Sequence, residues 1–104
     1  DAFSPNRQTF YRLVNGQPVT SADFVSQQTE FPWKEFLNID KCIIRAVSIF
    51  LKKEDCEKML KFPRHITKSV YALTLNEKDG VVKQTFKPSH HSWWRTTNFE
   101  LEAI

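Results

Sequence analysis

The sequence predicts one α+β domain over residues 1–104: a single mixed or antiparallel sheet of about five strands with two to three short helices packed on it. Three observations carry this. Residues 69–75 (SVYALTL) alternate apolar with polar or small side chains, as a strand with one buried face does. Residues 53–62 (KEDCEKMLKF) place Cys56, Met59 and Leu60 at helical spacing on one face, and Pro63 stops them. Several further segments are rich in β-branched and aromatic residues and end at turn residues.

Taken in order, residues 1–8 (DAFSPNRQ) are polar and read as a loose lead-in. Thr9 to Val14 is a strand that stops at Asn15-Gly16, a strong turn pair. Thr20 or Ser21 caps a short helix running from Asp23 to Gln28. Phe31-Pro32-Trp33 breaks it, and residues 33–39 suit another helical turn. The run from Cys42 to Leu51 has the composition of a central strand buried on both faces, with Lys52-Lys53 at its end. After the 53–62 helix and the 69–75 strand, residues 76–80 make a turn and Val81–Phe86 returns as a hairpin partner. A Pro-Ser-His-His loop then leads to a last alternating strand over residues 98–104.

Composition bounds what the chain can be. Aromatics reach 13%, with 9 Phe and 3 Trp, so a chain of 104 residues can bury a real core and disorder is excluded for most of it. The net charge of +3 is mild, so an ordinary solvated basic surface competes with attraction to a polyanion. No run approaches the roughly 18 apolar residues of a membrane span, and no signal-peptide pattern is present. The expected location is the cytoplasm, with no membrane partner. Cys42 and Cys56, fourteen positions apart, have no metal-binding spacing. Each reads as a small buried hydrophobe, with a single disulfide left open.

The polar residues least explained by folding lie in Ser89-His90-His91-Ser92-Trp93-Trp94-Arg95. His90 and His91 are proton-transfer groups, Trp93 and Trp94 stacking surfaces, and Arg95 a fixed cation. The plainer alternative makes one Trp a core anchor and one His a satisfied loop residue, and side-chain alternation keeps the two histidines out of one site. A metal site is not expected, because His65 is the only other histidine and no HxH, HxxxH or CxxC spacing occurs. Arg12 and Arg45 stand inside apolar strand patterns and must be paired or face a cleft. Glu100 and Glu102 are the available partners; the functional alternative is an anion hook. Lys52, Lys53, Lys58, Lys61, Arg64 and Lys68, mixed with Glu54, Asp55 and Glu57, read as a solvated helix face.

Phe10-Tyr11-Arg12-Leu13-Val14, Asp23-Phe24-x-Ser26, Val47-Ser48-Ile49-Phe50 and His90-His91-x-Trp93-Trp94 together resemble a pattern in short bacterial proteins, cyanobacterial ones among them, that carry no assigned activity. A fainter resemblance, to ADP-ribosyltransferase-like domains, rests on Arg12, Ser48 and Glu100-Leu101-Glu102 occurring in that order. It implies NAD as cofactor, with Arg12 on its phosphate or ribose, Ser48 seating the nicotinamide half and Glu102 polarising a ribose hydroxyl.

The leading expectation is a binding domain for a phosphate-bearing partner, RNA or a nucleotide, that needs no cofactor. Its binding residues would be Arg12, Arg45, His90, His91, Trp93, Trp94 and Arg95, with the Trp pair and Arg12, Arg45 and Arg95 lining one side of the sheet. Two other classes remain open. One is a toxin-type enzyme, either the transferase or a metal-independent ribonuclease, with His91 and Glu102 as catalytic candidates. The other is a module that binds a protein partner.

Overall fold

The computed structural model describes residues 2–15, 18–30, 41–86, 88–97 and 99. Its centre is an open five-stranded antiparallel sheet in the order β3-β1-β2-β5-β4, with β1 Gln8–Val14, β2 Val47–Phe50, β3 Ser69–Leu75, β4 Gly80–Gln84 and β5 His90–Arg95. Three short helices accompany it: α1 Gln27–Glu30, α2 Lys41–Ile44 and α3 Lys53–Glu57. The fold is therefore α+β. Among the described residues no helix is long and apolar enough to cross a membrane.

Side-chain alternation gives the sheet two unlike faces. Phe10 and Val14 of β1, Leu73 and Leu75 of β3, Val47 and Ile49 of β2, Val82 of β4 and Trp93 of β5 fall on one face and form the core. Phe24 and Phe99 close over it, their rings 5.7 Å apart and Phe99 lying 4.8 Å edge-on to Trp93. The other face presents Leu13, Ser48, Phe50 and His90 and is covered by α3 and the chain that follows it.

β3 has the bounds that its alternation predicts, and β1 begins one residue earlier than expected. Thr20 caps as expected, but it caps a 3-10 turn over Ser21–Asp23, and the following helix is the separate α1. The helix expected over 53–62 is α3, continued by a 3-10 turn over Lys58–Lys61. Phe62, before Pro63, is extended and ends it.

Four expectations are corrected. The ten-residue strand expected from Cys42 is the one-turn helix α2 followed by a four-residue strand, so Arg45 is an exposed residue between them. Helical bonding persists through Arg45 N to the Cys42 carbonyl and Ala46 N to the Ile43 carbonyl. β-Branched content here reflects partial burial of Ile43 and Ile44, which a helical turn satisfies equally well. The expected 69–75/81–86 hairpin does not form: β3 and β4 lie at opposite edges, and β4 pairs with β5. Between them a 3-10 turn is closed reciprocally by Asn76 and Asp79, and Gly80 follows at φ 128°, where a Cβ would collide with the Trp94 carbonyl.

The third correction concerns His90 and His91, expected in a loop with Pro88 and Ser89; they open a strand that runs to Arg95. It is β5, an interior strand between β2 and β4, while the strand expected over 98–104 lies outside the described residues except for Phe99. Fourth, the lead-in is tied down. Phe3 exchanges both backbone hydrogen bonds with Val82, at 2.7 and 2.8 Å, and Pro5 is fully buried. The helical turn expected at 33–39 lies outside the described residues.

Cys42 and Cys56 form no disulfide. Cys56 is the buried residue of α3, and burial pushes its thiol up to about 12, so it acts as a small core group. Cys42 is exposed.

Candidate functional site

β1 and β2 are joined at one register pair, Tyr11 with Phe50, and separate beyond it. In an antiparallel strand successive carbonyls point to opposite neighbours. Leu51 N donates to Ser89, so the odd-numbered backbone groups of β2 face β5 and the Ser48 carbonyl faces the split. The Arg12 guanidinium fills the split. Its Nη1 donates to the Ser48 carbonyl at 2.8 Å and its Nε to the Asp23 carbonyl at 2.8 Å. Its Nη2 donates to Glu30 Oε2 at 2.7 Å and to the Val25 carbonyl at 3.4 Å.

Arg12 is thus paired, as its place in a strand requires, but with Glu30; Glu100 and Glu102 lie outside the described residues. Burial lowers its pKa and the Glu30 carboxylate opposes that shift. A guanidinium has five N–H groups, and four are engaged here, so Arg12 supplies a buried positive charge more than a hand for a ligand.

Outward from the split opens a cleft of about 170 Å³. It is lined by Arg12, Ser48 and Glu30 together with Phe50, Met59, His90, Arg64, His65 and Lys68. Glu30 is held from both sides, by Arg12 and by Lys68 Nζ at 3.3 Å. His90 stands edge-on to Phe50 at 5.3 Å, and its Nδ1 is 2.9 Å from Thr85 Oγ1, which also bonds Ser92 Oγ.

His65 is the unusual member of this set. It sits in a 3-10 turn over Pro63–His65 and is 7% exposed. Arg64 Nε donates to its Nε2 at 3.1 Å. A guanidinium donates and never accepts, so Nε2 is the acceptor and the ring proton is on Nδ1. Burial, Lys68 and Arg64 all lower the His65 pKa, which keeps the ring neutral in that tautomer. Nδ1 has no hydrogen-bond partner among the described residues. His65 thus lines the cleft together with the cationic side chains of Arg12, Arg64 and Lys68, and it retains a buried Nδ1–H without a partner among the described residues.

The expected site residues are divided among three places. Arg12 and His90 line the cleft, together with the Ser48 of the transferase resemblance. His91 and Trp93 are in the core: His91 is 6% exposed, with Phe10 at 5.4 Å and its Nδ1 at 2.9 Å from the Ser89 carbonyl, and Trp93 is fully buried with its indole donating to the Asp79 carbonyl. Neither can present a ring to a nucleobase or a base to a substrate. Trp94 points to the opposite side from Trp93 and donates to the Cys42 carbonyl, so the pair is not one platform.

Arg45 and Arg95 share a separate open groove beside Phe24, and Arg95 is spent on the Ser21 and Phe24 carbonyls and on the Phe99 ring at 5.1 Å. Glu102 lies outside the described residues. Among the described residues no group of three or more His, Cys, Asp or Glu is placed to hold a metal ion.

Glu30, Arg64, His65 and Lys68 were not expected at a site. Arg64 and Lys68 read as part of a solvated helix face. The available signal was Pro63, which ends the helix and leaves an Arg-His pair and Lys68 on a segment that no helical periodicity governs. No protein family, curated protein or solved structure matches the chain.

Proposed function

We propose that the protein binds a phosphate-bearing ligand, a nucleotide or RNA, in the cleft at the β1/β2 split. The observation that carries this reading is the unpartnered Nδ1–H of buried His65. An unmet buried donor costs about 1–3 kcal/mol, a cost that an accepting ligand removes. Charge selects the kind of acceptor. Arg12, Arg64 and Lys68 set against Glu30 leave two positive charges around a neutral His65. A phosphomonoester carries about −1.5 to −2 charge and three acceptor oxygens, which matches both requirements. A neutral carbonyl would satisfy the donor and leave the charge uncompensated.

The test is a titration of the full chain with inorganic phosphate at pH 7.5, followed by nitrogen-15 NMR of the imidazole groups. The expected result is a saturable change at His65 Nδ1 larger than at His90 or His91, with phosphate affinity about fivefold to tenfold lower in His65→Phe. An unmoved His65 signal, or an undiminished affinity in the variant, would overturn the reading.

A further inference from the structure

Resting on that phosphate reading, we infer that the ligand is a mononucleotide whose base occupies a second, apolar hollow opening beside the cleft. The hollow has a volume of about 610 Å³ and shares Phe50, Met59 and His90 with the cleft, so one ligand can reach both. Size is the first argument. Small-molecule sites are typically about 300–1,000 Å³. The cleft, at about 170 Å³, is below that range and suits an anionic end group only. With the hollow added, the space is that of a complete small ligand.

Chemistry is the second argument. The cleft is lined by Arg12, Arg64 and Lys68 set against Glu30, whereas the hollow has Leu51, Phe62 and Pro88 in addition to the shared Phe50 and Met59, with Lys52, Lys58, Lys61 and Asp55 also on its lining. A ligand with an anionic end group in the cleft and a flat body against the apolar residues of the hollow matches the two linings. Phe62 is 42% exposed at the rim, with the Lys61 ammonium 5.5 Å from its ring centre. An aromatic ring held at a rim next to a cation is a stacking surface for a base. Asp55, also on the lining, is paired with Lys58 through Oδ1 at 3.6 Å and can offer its other carboxylate oxygen to an exocyclic amine.

Calorimetric titration of the full chain with inorganic phosphate, ribose 5-phosphate and adenosine 5′-monophosphate separates the two subsites. Adenosine monophosphate should bind at least tenfold more tightly than ribose 5-phosphate, and Phe62→Ala should abolish that advantage. Phe62 is a rim residue, and unchanged thermal melting of the variant will show that it folds. Equal affinities for ribose 5-phosphate and adenosine monophosphate in the unaltered chain would overturn the base subsite while leaving the phosphate cleft standing. No binding of any of the three would overturn the cleft as well. Tighter binding of a 5′-phosphorylated oligoribonucleotide than of adenosine monophosphate would overturn the mononucleotide in favour of an RNA end.

Discussion

His90 and His91 are neighbours in the chain, yet they belong to differently built sides of the sheet. On the side of His91, rings close on rings: Phe10 tilts against the imidazole, Phe24 and Phe99 cover Trp93, and the Trp93 indole donates to a backbone carbonyl. On the side of His90, two strands separate, the guanidinium of Arg12, rooted between Phe10 and Val14, reaches the gap, and a charged cleft opens there. The first side is stabilised by burial. The second is stabilised by hydrogen bonds that satisfy a backbone left without its ladder. The proposed phosphate site lies on the second side, where His65 Nδ1 has no hydrogen-bond partner among the described residues.

The largest test of this contrast is a pair of alanine variants one residue apart. Trp93→Ala removes a fully buried indole and leaves a cavity, and the expected loss in unfolding free energy is about 4 kcal/mol. Trp94→Ala removes a half-buried ring and one hydrogen bond to the Cys42 carbonyl, for about 1 kcal/mol. Urea denaturation of both measures the difference. Equal losses would mean that the two sides are not as different as their packing implies.

Next in size is Arg12→Met, which keeps much of the stem and deletes the guanidinium. It leaves the Ser48 and Asp23 carbonyls without their donor and Glu30 without its closest cation. Breaking a buried ion pair by removing one partner costs about 3–5 kcal/mol. Glu30 is partly exposed and keeps Lys68, so the expected loss is at the low end, about 3 kcal/mol. Arg12→Lys should recover little of it, since one ammonium cannot span acceptors on two strands and a loop. A full recovery in Arg12→Lys would show that charge alone, not the fork, fills the split.

These two sides also differ in how well the sequence discloses them. Ser69–Leu75 was legible to the residue because its two faces meet different surroundings and its side chains alternate accordingly. His90–Arg95 was not, because an interior strand with burial on both sides has no alternation to read, and its histidines are polar by type while one is buried in fact. The pairing of β4 with β5 was equally hidden. It joins segments across a loop, and the turn that prevents the shorter hairpin depends on a side-chain capping pair and one glycine. At the site, Arg12 and His90 stood out as residues that the local pattern does not explain. Arg64, His65 and Lys68 did not, because folding of the segment after Pro63 back over the sheet is a tertiary event.

The smallest expected effect is the pH dependence that His65 imposes, and it probes the cleft side alone. The folded pKa of His65 is lowered from 6.5, first by burial and then by Lys68 and Arg64. In the unfolded chain the ring takes up its proton near 6.5, before the folded ring does. As pH falls through and below 6.5 the unfolded state therefore binds more protons than the native state, and stability falls until the folded pKa is passed. Above 6.5 both states are neutral and His65 contributes no slope. Urea midpoints measured from pH 7.5 to pH 5 should fall for the unaltered chain and fall less for His65→Phe. A slope that survives unchanged in His65→Phe would assign the acid sensitivity to other groups and remove the support that the neutral tautomer gives to the cleft.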